Sequence, residues 1–204
     1  MSPATPTRAR RLIGFAVFAA LLGTAPAASA HLVTTNLGPF YDGFAHFFTA
    51  PETLLPVLAL ALLAGLRGPA FGRALLLCLP VAWLAGACGS VWLAPRAALP
   101  LGTAGVTLAF GALVAADVAL PRLCVAGFAG GLGLFAGALS GADLARASAP
   151  LTLAMGTTCA LFITTALIAG RVTSLRAPWT RIAVRVAGSW IAASGLLMLG
   201  WALR

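Results

Sequence analysis

The stretch GFAHFFTAPETLLPVLALALLAG, residues 43–65, places one histidine and one glutamate immediately before a long apolar run. Polar donors crowded at the head of such a run read as the mouth of a bilayer span. The whole chain repeats that contrast, with 61% hydrophobic and 8% charged residues and a mean hydropathy of +1.01. A soluble domain of 204 residues would need far more polar side chains to cover its core. The fold class expected is therefore all-α: a polytopic membrane protein whose first partner is the lipid bilayer.

Six apolar blocks follow one another, through Pro51 to Leu66, Ala74 to Leu93, Leu99 to Leu120, Leu123 to Ser140, Leu151 to Gly170 and Ile182 to Leu203. Each is near the ~20 residues that a bilayer core requires. Short connections between them predict a bundle of six transmembrane helices with antiparallel neighbours. Residues 1–30 read as a signal peptide: Arg8, Arg10 and Arg11, then LIGFAVFAALLGTA, then the small residues APAASA. The mature six-helix transmembrane domain would then run over residues 31–204 and begin at His31. An uncleaved anchor helix is the alternative, although Gly23 and Pro26 interrupt a run already short for a span.

All 13 basic residues are arginine and give a formal charge of +9. They are scattered between apolar blocks and not gathered on one polar face, so topology explains them and nucleic acid is not an expected partner. With His31 outside, the inward loops carry Arg67, Arg73, Arg122, Arg171, Arg176, Arg181 and Arg185, and the outward side only Arg96, Arg146 and Arg204. That asymmetry obeys the positive-inside rule and predicts a bacterial-type inner membrane location, mature N-terminus outside. Cys78, Cys88, Cys124 and Cys159 all fall in predicted spans and show no CxxC spacing; they read as small apolar residues.

Glycine marks helix packing. In VAGFAGGLGLFAGALSGA, Gly133, Gly137 and Gly141 recur every four residues, as do Gly127 and Gly131, which lets another backbone approach closely and predicts a central fourth span.

Both informative stretches resemble the HupE/UreJ family of hydrogenase and urease accessory membrane proteins, regarded as nickel permeases. Residues 43–65 run without a gap along that family's first-span motif, with His46 at its first histidine, Glu52 at its aspartate and Thr53 at its second histidine. GLFAGALSGADL is similar to the family's histidine-rich FHGHAHG segment, keeping Phe135, Gly137 and Gly141 but carrying Ala136, Ala138 and Ser140 in place of imidazoles. The resemblance implies a membrane permease or accessory protein. The missing imidazoles weaken the case for a nickel centre, since Ni²⁺ favours such ligands.

Apart from any family, the candidate metal ligands are His46, Glu52, Asp42 and His31. Asp42 and His46 share a helix face at a spacing of four, and a mature N-terminal His31 would add an amine and an imidazole. No cofactor is firmly implied; a divalent transition-metal ion (Ni, Cu or Zn) suits such N and O donors. Simpler roles stand beside each. Thr49 and Glu52 have capping-box spacing with Pro51 in the first turn, Asp42 sits in a turn-like GPFYDG, and His46 among phenylalanines suits an interface. Asp117, at the inward end of the third block and close to Arg122, is expected to pair with or snorkel to an inward arginine, a proton or ion relay being the alternative. Asp143 and Arg146 are expected to be solvated in the outward loop. No catalytic arrangement of Ser/His/Asp, Cys/His or HExxH occurs, so an enzyme is not expected. Two classes follow: a metal-capturing permease, or a non-transporting membrane scaffold packed against a membrane or periplasmic protein partner.

Overall fold

The computed structural model describes residues 35–92, 99–175 and 177–204; the expected signal segment and His31 lie outside them, as do Arg96 and Arg176. The described residues form seven helices and no strand: α1 (Pro39–Thr49), α2 (Pro51–Arg67), α3 (Pro69–Trp92), α4 (Pro100–Ala115), α5 (Arg122–Arg146), α6 (Pro150–Ser174) and α7 (Pro178–Ala202). Proline sets these boundaries. Six helices begin on one, where a fixed φ and a missing N–H cost nothing, and Pro121 caps the seventh. Proline also pushes the residue before it out of the helical region, which is why Ala50, Leu99 and Ala149 take ψ near 80° (84°, 75° and 75°).

Among the described residues four helices are long and apolar enough to cross a membrane: Pro69–Ser90, Arg122–Arg146, Pro150–Ser174 and Trp179–Ala202. A fifth span arises if α1 and α2, bent by 74° at Ala50, count as one. The first apolar block is thus the second limb of a broken helix. The third block, expected to reach Leu120, stays helical only to Ala115, because Asp117 takes a left-handed φ of 52° and turns the chain away. Conversely α5 continues to Arg146, so Asp143 and Arg146 lie in its last turns and not in a loop; their carboxylate and guanidinium are 3.6 Å apart and well exposed.

The centre of the bundle is α2. Val57, Ala59, Leu60, Ala61, Leu63 and Ala64 are fully buried, and α2 touches every other described helix. Around it the remaining helices pair as α1 with α6, α3 with α5 and α4 with α7. The expectation of a central fourth span is corrected here: α5 presents only one face inward. At Gly133 an added Cβ would lie 2.6 Å from the Leu79 carbonyl oxygen, at Gly137 it would overlap the Trp83 carbonyl, and at Gly141 the Ser90 side chain. Gly127 and Gly131 meet no atom within 4 Å, and Leu123 and Leu134 on α5 are exposed. Small residues permit close approach on the stripe they occupy; an Ala/Leu helix that is apolar all round takes the centre.

Candidate functional site

The break between α1 and α2 is built by local sequence. The hydroxyl of Thr49 donates back to the His46 carbonyl at 3.0 Å and closes α1. Ala50 then serves as C-cap of one helix and N-cap of the next, with Pro51 at the start of α2. The expected capping box between Thr49 and Glu52 therefore does not form. Thr49 is spent on α1, and the N-cap falls one residue too late for the T-x-x-E spacing.

Tight contacts with α6 hold α1 in place. Gly43 lies against the Leu153 carbonyl and the Thr157 side chain, Gly156 lies against the Phe40 carbonyl, and the Thr157 hydroxyl donates to the Gly43 carbonyl at 3.0 Å. Phe47 is fully buried beneath. His46, in the last turn of α1, is half-buried, and Glu52, in the first turn of α2, is exposed. Asp42 is already engaged: it accepts from the backbone N–H of Thr35 at 2.6 Å and from its hydroxyl at 2.7 Å, fastening the segment before α1.

Below the break, α2, α4 and α5 enclose a cavity of about 10 Å³, the size of a single water. Glu52, Thr53 and Pro56 line it from α2, Thr103 from α4, and Phe135 and Ala136 from α5. The two sequence stretches singled out above thus converge on one cavity, although 82 residues separate Thr53 from Phe135. Pro56 has no N–H to give the Glu52 carbonyl four residues back, which leaves a further oxygen beside the Glu52 carboxylate. Thr103 carried no signal in the sequence, because only the docking of α4 brings it here. Among the described residues no three His, Cys, Asp or Glu side chains converge as a metal centre. Of the expected ligands described, Glu52 lines the cavity, whereas His46 is not among its lining residues and Asp42 is engaged by Thr35.

At the other end of α2 stands a second polar cluster. Arg67 donates to both the backbone carbonyl and a carboxylate oxygen of Asp117, each at 2.6 Å, and Arg181 Nε donates to the other oxygen at 2.5 Å. The expected pairing of Asp117 with arginine is present, its partners being Arg67 and Arg181, while the neighbouring Arg122 is exposed. The hydrogen bond from Arg181 and the charge of Arg67 outweigh burial and hold the Asp117 carboxyl below the usual carboxylate range. The sequence offered the charges; the partners, 50 and 64 residues away, come from the fold.

Compared with known proteins, residues 19–198 match the family model described as HupE / UreJ protein. No curated protein and no solved structure matches the chain.

Proposed function

Because the chain belongs to the HupE/UreJ family, we propose that it is a permease-type accessory protein of the inner membrane that captures a divalent transition-metal cation, of the nickel type, as cargo at the α1–α2 break. In this reading α1 and α2 form one broken span and α4 a short one, which with α3, α5, α6 and α7 makes six. The arginine-rich end faces the cytoplasm, and the break opens outward.

The observation that carries the proposal is the break itself: a span bent by 74° with an ionisable residue in the first turn after it, above a cavity shared with two other helices. Interrupted helices inside a bilayer are tolerated where they line a path, and carbonyls at the end of a half-helix are suited to cations. His46 and Glu52 supply the charged and nitrogen donors; Asp42, held by Thr35, is a brace for α1. Water, the N-terminal His31 or a partner completes the shell, so binding is weak.

The scaffold reading keeps one observation in its favour: Thr53 and Ala136 leave the cavity without an imidazole and barely large enough for a water. Calorimetric titration of Ni²⁺, Cu²⁺ and Zn²⁺ into purified protein, with metal uptake by proteoliposomes, separates the two. Saturable binding lost in His46→Ala supports the permease. Equal binding by parent and variant, or no binding and no uptake by the parent, leaves the scaffold.

A further inference from the structure

Two arginines at the crowded end of the bundle are held in an unusual way. Arg181 Nε is spent on the Asp117 carboxylate and Arg185 Nε donates to the Ala115 carbonyl at 2.9 Å, so both guanidinium groups are anchored to the end of α4. A spacing of four puts them on one face of α7. In each the two terminal Nη amines have no partner among the described residues, and the Arg181 side chain is 60% exposed. We propose that Arg181 and Arg185 form a clamp for the headgroup phosphate of an anionic phospholipid.

The chemistry fits a phosphate closely. Guanidinium Nη pairs match phosphate oxygens in bidentate fashion, and anchoring through Nε has already removed much of the rotamer freedom that binding would otherwise cost. Charge is complementary as well. Among the described residues this end holds Arg67, Arg73, Arg122, Arg171, Arg181 and Arg185 against the single carboxylate of Asp117, itself shared by two of them. The choice of a lipid over a free anion rests on position. Arg181 and Arg185 occupy the first two turns of an apolar span, beside exposed Trp179, Ile182 and Val186, so a bound phosphate has room for acyl chains next to it. A tryptophan at the start of a span is a usual marker of the headgroup layer.

Native mass spectrometry of the full chain, purified in detergent and titrated with phosphatidylglycerol or phosphatidylcholine, tests the clamp. The parent should retain phosphatidylglycerol in preference to phosphatidylcholine, and Arg181→Gln/Arg185→Gln should retain about tenfold less of it, with phosphatidylcholine unchanged. Arg181 also neutralises Asp117, so Arg185→Gln alone, which leaves that pair intact, carries the test if the double variant does not fold; about a fivefold loss is expected. Arg73→Gln/Arg122→Gln, which removes two exposed arginines of the same end that lack such anchors, should change little. An equal loss in that control would reduce the effect to general surface charge and overturn the proposal. So would displacement of the lipid by inorganic phosphate at matched concentration, which would make the site one for a soluble anion.

Discussion

Where α1 breaks into α2, polar groups are exposed or bound to near neighbours: Asp42 to Thr35, Thr49 to its own helix, Glu52 facing outward beside a small cavity. At the far end of α2, Asp117, Arg67 and Arg181 come together from three separate parts of the chain. The same helix thus carries one end, the open one, whose polar groups meet near neighbours or solvent, and another, the closed one, where charges distant in sequence pair with each other. Breaking the Asp117 pairs at the closed end should cost stability, and, on the proposed function, substitutions at the open end should cost metal binding. That division requires a rigid bundle between the two ends, and in it α3 packs on α5 so closely at Gly133, Gly137 and Gly141 that no side chain fits.

Gly137→Leu should have the largest effect. A Cβ there overlaps the Trp83 carbonyl, and no side-chain rotation relieves a clash with backbone. We expect little folded protein on size-exclusion chromatography in detergent, with both ends lost together. A variant as abundant and heat-resistant as the parent would mean that the two ends do not depend on this packing.

Asp117→Asn comes next. Asparagine tolerates the left-handed φ of 52° and keeps an acceptor, so the variant isolates the charge. Arg67, 13% exposed, would be left without its counter-ion. The expected loss is about 2 kcal/mol, smaller than for a wholly buried pair because Arg181 remains in contact with water. A thermal melt unchanged from the parent would place the closure of this end elsewhere.

Acid should reproduce part of that loss. A carboxyl held below its ordinary value contributes stability in full above the unfolded value, near ~3.9, and loses it as pH falls through the lower folded one. The parent should therefore lose heat resistance below about pH 4 more steeply than Asp117→Asn, in which this group no longer titrates. Parallel melting curves for the two proteins across that range would show that Asp117 is not coupled to folding.

The sequence made the helical class, the proline boundaries and the stretches that meet at the cavity legible, since these depend on composition and on residues adjacent in the chain. From sequence Pro51 reads as a comfortable helix start and not as the cause of a break, because the apolar run after it outweighs the eleven residues of α1 before it. The glycine repeat of α5 indicated close packing without saying against what; its partner α3 is identified only when the helices are docked. In the same way the sequence indicates an arginine partner for Asp117 without saying which, and the fold selects Arg67 and Arg181. Long-range pairing of charges carries no local periodicity, and so it was the part least open to reading.

Glu52→Gln should have the smallest effect on folding and is the sharpest probe of the open end. Glu52 lies in the first turn of α2, is exposed, and makes no side-chain cap to the helix N-terminus, because Ala50 is the N-cap. Removing its charge gives up only a favourable interaction with the α2 dipole, within about 0.5 kcal/mol, so the melting curve should nearly superimpose on the parent's. Glutamine keeps the size of the side chain and its carbonyl oxygen, so the cavity formed with Thr53 and Thr103 is preserved. What it lacks is the negative charge on which the proposed capture of a divalent cation depends. Calorimetric titration of Ni²⁺ should consequently show weaker binding than in the parent, at unchanged stability. The reverse result, a destabilised variant that binds Ni²⁺ as well as the parent, would make Glu52 a structural element of the break and erase the contrast between the two ends of α2.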